Sequence, residues 1–174
     1  MDRITIIRGA IADFDLLKCV IEDHRIDIIV HLVSTLIPGS TYEDFKREFE
    51  NVVFPTSRLM ELCAEKGVKF VFFSSGGTVY GNSKAGEKFK ENDALAPISY
   101  YGLTKQIIES NILFENRRGK LNYLIVRPSN PFGVGQSLHG NQGLIAVSIG
   151  KILGGSPIEV WGDGNSVRDY IYIT

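Results

Sequence analysis

The pentapeptide Tyr101-Gly102-Leu103-Thr104-Lys105 sets a phenol and an ammonium four residues apart, which on a helix places both on one face. A phenol titrates near ~10, so it serves as a base at neutral pH only beside positive charge that favours the phenolate. Lys105 supplies such a charge, and the pair is expected to hold the Tyr101 pKa down. Upstream, Ser74-Ser75-Gly76-Gly77-Thr78-Val79-Tyr80-Gly81 combines aliphatic hydroxyls with glycines that let a backbone approach a ligand closely. The other candidates point to no chemistry. His24, His31 and His139 share no ligand spacing of the H-x-x-x-H kind, so they read as surface or loop histidines and no metal is expected. Gly81-Asn82-Ser83-Lys84-Ala85-Gly86 misses the G-x-S-x-G spacing of hydrolases by one residue. Cys19 and Cys63 fall at apolar positions of helix-like segments and read as buried small hydrophobes rather than a disulfide. The charges over 84–93 read as a solvated loop.

These groups need elements to hold them. Residues 4–8 form a short β-branched run, and Leu16, Leu17, Val20 and Ile21 then repeat at helical spacing over 13–21. Residues 26–33 are nearly continuous apolar sequence rich in Ile and Val, as in a parallel strand buried on both faces. A long helix is predicted over 42–66, kinked at Pro55 and ended by Gly67. Further strands are predicted over 69–74, 121–127, 158–161 and 170–173, and helices over 100–117 and 143–153. Alternating strands and helices predict an α/β fold with a doubly wound parallel sheet. Ligands of such sheets bind beyond the carboxyl ends of the strands, which is where 74–81 falls.

The 174 residues carry 19 Lys+Arg against 20 Asp+Glu, a net charge of −1, with 44% apolar residues. At that length a single domain folds with roughly 70% of the unfolded surface buried. Interspersed charges give no basic field for phosphates, so nucleic acid is not an expected partner. The apolar stretch 26–37, broken by Asp27, His31, Ser34 and Thr35, is shorter than the ~20 residues of a membrane span. Asp2, Asp13 and Asp15 stand where a secretory leader carries positive charge and an apolar run, so the expected location is the cytoplasm.

Six pieces together, in one order along the chain, resemble the extended short-chain dehydrogenase/reductase family, and within it the NAD-dependent nucleotide-sugar epimerases and dehydratases of the UDP-glucose 4-epimerase kind. Residues 28–32 with His31-Leu32 resemble the family's fourth strand and its cofactor-lining loop. Asn51 through Thr56 with Leu59-Met60-Glu61 resemble the helix that carries an Asn near the cofactor. Residues 73–81 resemble the hydroxyl-bearing strand end, and Tyr101 with Lys105 the catalytic pair. Arg127-Pro128-Ser129-Asn130-Pro131-Phe132-Gly133 resembles the segment between cofactor and sugar nucleotide, and 158–172 the nucleotide-holding stretch.

The resemblance implies that Tyr101 takes the proton of a sugar hydroxyl while the adjacent carbon gives hydride to NAD, with Lys105 binding the nicotinamide ribose. Ile11, Leu32, Val33, Asn51, Ser74 and Pro128 would line the cofactor. Asn130 and Arg168 would contact the diphosphate, Trp161 would stack on the base, and Thr78 and Leu144 would face the substrate, a nucleotide sugar linked to UDP. Where the family's catalytic Ser or Thr stands, this chain has Gly76; Ser75 and Thr78 flank it, and Thr78 is the favoured replacement. Ala10 stands where the family carries an Asp for the adenine. The family's opening strand, G-x-x-G-x-x-G turn, helix and second strand are not found, and the sequence stops before the family's remaining substrate region. The resemblance therefore implies a Rossmann-like sheet without its first two strands, as a partial NAD-binding domain over 1–135 and a partial substrate region with a return strand over 136–174. NAD binding weaker than in an intact relative is expected, since the missing turn holds the pyrophosphate. The implied assembly is a homodimer through the helices carrying Val52 and Tyr101. Two alternatives stand beside this reading: a non-catalytic remnant that folds and self-associates without NAD, and an NADP-dependent reductase of the same superfamily.

Overall fold

The structure is a computed structural model that describes residues 4–83, 88–140, 142–160 and 162–174. The chain divides into two compact units, residues 1–126 and 127–174, the division falling ahead of the expected boundary at 135. The first unit contains α1 (Phe14–Asp23), β1 (Ile28–His31), α2 (Tyr42–Glu48), a π-helical turn (Phe49–Val53), α3 (Phe54–Lys66), β2 (Lys69–Phe73), α4 (Tyr100–Arg117) and β3 (Tyr123–Val126). The second contains β4 (Asn130–Gly133), α5 (Leu144–Leu153) and β5 (Tyr170–Ile173). Among the described residues no helix is long and apolar enough to cross a membrane.

In the first unit three parallel strands pair in the order β1-β2-β3, as an α/β sheet requires. The rows Ile29↔Phe70↔Tyr123 and His31↔Phe72↔Ile125 face the core. There α3 and α4 cover the sheet with Leu59, Met60, Cys63, Ile108 and Ile112. The row Val30↔Val71↔Leu124 lies on the other face, where Val30 and Leu124 are exposed. The near-continuous apolar run of β1 thus belongs to a sheet covered on one face by the described residues, not on both. Residues 4–8 form no strand, and Ile4 and Ile6 are more than four-fifths exposed. A strand exists only against another strand's N–H and C=O groups, and no described segment pairs with this one.

Asp13 caps α1 by accepting from the Leu16 amide at 3.1 Å. Ile21 is buried on that helix whereas Cys19 is exposed, correcting its expected burial; two residues from Ile21 it lies about 200° around the axis. Cys63 is buried and free. The expected 42–66 helix does run its full length, but in three parts. Pro55 has no N–H to give Asn51 and its ring pushes that carbonyl away, so the turn before it widens to π geometry. A reciprocal box between Thr41 and Asp44 starts α2, and Gly67 ends α3 in the left-handed region at φ 70°.

In the second unit β4 and β5 pair in parallel, Asn130↔Tyr170 through Gly133↔Ile173. No periodicity announces β4, because Pro131 and Gly133 carry poor strand propensity. Residues 158–160 are irregular and exposed rather than a strand, and Trp161 lies outside the described residues, as do 84–87 of the charged loop.

Gly102, between Tyr101 and Lys105, is the tightest point of the helix that carries them. A Cβ there would stand 2.5 Å from the Thr78 carbonyl oxygen and 2.9 Å from Pro97 Cβ. Alanine gains about 1 kcal/mol in helix propensity, but the neighbour is backbone and cannot swing away. Gly102→Ala is therefore expected to lower stability by about 1–3 kcal/mol in urea unfolding; a raised midpoint would show that the 75–79 turn yields.

Candidate active site

Beyond the carboxyl end of β2 the chain makes a tight turn, in which the Thr78 and Val79 amides donate to Ser75 O. Ser99 starts α4 by accepting from the Gly102 amide at 3.2 Å. Tyr101 and Lys105 then follow one turn apart on the side of α4 that faces the β2 end. Lys105 is 4% exposed. Its Nζ donates to Phe73 O at 2.9 Å and lies 4.9 Å from the Phe72 ring centre and 5.5 Å from that of Tyr101. Burial pulls the ammonium pKa down to about 8, with the nearby Glu48 charge opposing.

The phenol behaves otherwise than the pattern alone suggests. Burial raises the Tyr101 pKa above its ordinary value; a hydrogen bond with Ser75 acts against that, and Glu48 adds to it. The Lys105 charge, engaged by the Phe73 carbonyl, does not hold the phenol down. Ser75 thus meets the phenol, while the hydroxyl of Thr78, the favoured candidate, is buried without a hydrogen-bond partner. The bend at Gly76-Gly77 turns Ser75 rather than Thr78 toward Tyr101.

Behind Lys105 stands His31, 3% exposed at the end of β1 and not on the surface or in a loop. Its Nε2 is 2.9 Å from Thr56 Oγ1, and its ring lies between those of Phe70 and Phe72 at 5.6 Å from each. Burial first, and the Lys105 charge second, push its pKa down to about 4, so the imidazole is neutral at pH 7. Glu48, 1% exposed, accepts from Ser34 Oγ at 2.9 Å, Thr35 N at 3.0 Å and Thr35 Oγ1 at 2.5 Å. Sequence reading passed over Glu48, although it interrupts the stripe Phe45, Phe49, Val52 at helical spacing; a carboxylate in an apolar stripe is the signal that marks it.

The remaining candidates distribute unevenly. Ser74 is 4% exposed with an unpartnered hydroxyl and an amide that donates to Val126 O at 2.8 Å. Leu32 and Val33 follow β1 and are exposed. Ile11 instead lines a separate cavity of about 230 Å³ with Phe14, Phe54 and Arg58. Asn51 is exposed, and its amide donates to Arg47 O within its own helix. Neither is brought to the Tyr101–Lys105 pair. In the second unit, Asn130 gives its amide side chain to Asp169 O at 2.8 Å, and Arg168 gives its guanidinium to Val167 O at 2.8 Å. Pro128 is half-buried ahead of β4, and Leu144 is the exposed first residue of α5.

Comparison with known proteins gives this arrangement its context. The sequence model described as the NAD dependent epimerase/dehydratase family matches residues 1–174. The dTDP-4-dehydro-6-deoxyglucose reductase of Escherichia coli is 36% identical over 156 residues, which cover 89% of this chain and 49% of that protein. The UDP-glucose 4-epimerase of Mycolicibacterium smegmatis is 29% identical across 99% of this chain and 55% of its own length. Among solved structures, the UDP-glucose 4-epimerase of Thermus thermophilus in complex with NAD superposes with a TM-score of 0.84 at 28% identity, over 95% of this chain and 55% of that one. The chain spans about half the length of the relatives it matches.

The His31 environment sets a pH dependence with a defined sign. Its folded pKa lies below the unfolded value of 6.5, at about 4. Its stabilising contribution is therefore complete above pH 6.5 and drains away as pH falls toward 4. Between pH 7 and 4.5 the native chain is expected to lose about 2 kcal/mol more stability than a folded His31→Asn variant, measured by urea unfolding. Equal losses would show that His31 is not held neutral by burial.

Proposed function

This chain belongs to the NAD dependent epimerase/dehydratase family, and from that premise we propose that Tyr101 is the proton acceptor and donor for a hydroxyl of a nucleotide sugar, with UDP sugars as the substrates. The observation that carries this reading is the joint placement of Tyr101, Lys105 and Ser75 at the carboxyl end of β2. The relatives named as epimerases of UDP-glucose support the substrate class.

The residues fit the nicotinamide end of NAD. Ser74 Oγ and Thr78 Oγ1 in the segment after β2, and Thr104 Oγ1 on α4, are buried without hydrogen-bond partners, and such hydroxyls call for a polar ligand. Bound there, NAD supplies a reversible hydride acceptor and a cationic ring whose charge favours a phenolate. Tyr101, a phenol at neutral pH in the free chain, would first release its own proton to solvent; as the phenolate it would accept the hydroxyl proton of the sugar and afterwards give that proton back to the sugar oxygen. Ser75 steadies the phenolate by donating to the same oxygen. Lys105, held by Phe73 O, has its donors at hand for ribose hydroxyls and carries a charge that is lost near pH 8. A pyrophosphate has no Gly-rich turn to rest on within these 174 residues, so calorimetry on this chain is expected to give NAD affinity weaker than micromolar.

With NAD and a UDP sugar supplied, Tyr101→Phe is expected to cut turnover by ~10² to 10⁴ while substrate binding survives. Ser75→Ala is expected to cost about tenfold or more, and Thr78→Val less. Unchanged turnover in Tyr101→Phe would overturn the reading, and net consumption of reduced cofactor would make the protein a reductase instead.

The partner we propose is a second copy. Phe54 on α3 and Leu113 and Phe114 on α4 are exposed, and an Asn111–Ser57 hydrogen bond ties these two helices together. Burying such side chains is worth about 1.5–3 kcal/mol each. Light scattering is expected to show a dimer that Phe54→Glu dissociates; a monomer at all concentrations would rule it out.

A further inference from the structure

An ammonium has three protons to place, and among the described residues Lys105 finds one hydrogen-bond acceptor, Phe73 O at 2.9 Å. With 4% exposure the side chain gives up most of its hydration, so the rest of its charge must be met by protein. What stands there is aromatic. Nζ lies over the Phe72 ring, 4.9 Å from its centre, and 5.5 Å from the centre of the Tyr101 ring. The negative face of an aromatic ring attracts a cation within about 6 Å, most strongly where solvent is excluded. Phe72 and Phe73 are the last two residues of β2, so the strand end offers the ammonium a ring from one residue and a carbonyl from the next.

The Phe72 ring is itself fixed in place. It is fully buried, and the His31 ring packs 5.6 Å from it at 51°. His31 Nε2 in turn lies 2.9 Å from Thr56 Oγ1 on α3. Contacts thus run from α3 through β1 and β2 to the lysine of α4, and all four side chains are buried. We propose that Phe72 is a positioning residue for Lys105, its ring holding the ammonium charged and seated against the Phe73 carbonyl at the end of β2. An aliphatic side chain at 72 would fill the core but offer the cation no such face. The titratable groups that face Lys105 are Tyr101 on α4 itself, Glu48 from α2, whose carboxylate is bonded to Ser34 and Thr35, and neutral His31 from β1. The proposal rests on Lys105 belonging to the reacting pair, but its test does not use turnover.

The chain is labelled with lysine carrying carbon-13 at Cε, the Lys105 resonance is assigned by its loss in Lys105→Met, and pH titrations are recorded for the native chain and for Phe72→Leu. The acid dissociation constant of Lys105 is expected to rise about three- to thirtyfold in Phe72→Leu. Phe70→Leu is the control: Phe70 is equally buried on the same face of β2 and packs on His31 at the same 5.6 Å, while the ammonium lies over Phe72 and Tyr101. It is expected to leave the titration within about twofold; a shift as large as that of Phe72→Leu would assign the effect to lost packing and refute the role of the ring. Pentafluorophenylalanine in place of Phe72 keeps the ring and reverses the charge of its face, so the same rise is expected without a cavity. That chain decides the matter if Phe72→Leu does not fold, and an unmoved Lys105 titration in it would overturn the proposal. A moved titration alongside unchanged turnover in Tyr101→Phe would sink the catalytic reading and leave the hold of Phe72 standing, whereas an unmoved titration with turnover lost in Tyr101→Phe would overturn the role of Phe72 alone.

Discussion

The first unit is organised around one hydrogen bond, from the buried Lys105 ammonium to the carbonyl of Phe73 at the end of β2. A lysine with 4% exposure gives up most of its hydration, and that loss must be offset by a partner held in place by the sheet. The bond joins α4 to the carboxyl end of β2 and so fixes the turn of helix on which Tyr101 stands. Gly102 follows from it: with Lys105 drawn inward, the helix passes so close to the Thr78 carbonyl that no Cβ fits. Ser75 is then left facing the phenol.

Around that bond the side chains are largely buried and rich in uncompensated polarity. His31 is kept neutral by its burial between two phenylalanine rings, Lys105 titrates near 8, and Tyr101 resists ionisation. The hydroxyls of Ser74, Thr78 and Thr104 are buried without a partner. Such a site is costly for a fold that needs it only for packing, and apolar residues of similar size would be more stable there. A concentration of perturbed titratable groups and unpaired hydroxyls marks the carboxyl end of this parallel sheet as the candidate site.

The helices that support the site show how a local defect is absorbed. Pro55 removes one backbone donor in a helix that must run on to reach Gly67, and the π-helical turn over Phe49–Val53 takes up the mismatch without breaking the helix. Helix α2 therefore keeps its own orientation, with the Phe45 ring on Tyr100 and Glu48 turned inward, while α3 packs Met60 and Cys63 on the sheet.

Much of this was legible in the sequence. Apolar periodicity announced α1, the 42–66 helical stretch, α4, α5 and the strands β1, β2, β3 and β5, because burial against one sheet leaves a periodic trace in residue type. The i, i+4 spacing announced the Tyr101–Lys105 pair, because a helix converts that spacing into a shared face. Residues 4–8 looked like a strand and form none, since composition records the propensity to pair and not the presence of a partner. Which hydroxyl meets Tyr101, whether Lys105 would lower its pKa, that Cys19 would face outward and that His31 and Glu48 would be buried beside the pair were all beyond it. Sequence by itself determined most of the elements, their order and the shared helical face of Tyr101 and Lys105, because these depend on residue type and local spacing. Only the tertiary structure decided burial, hydrogen-bond partners and charge states, because these depend on distances between residues far apart along the chain.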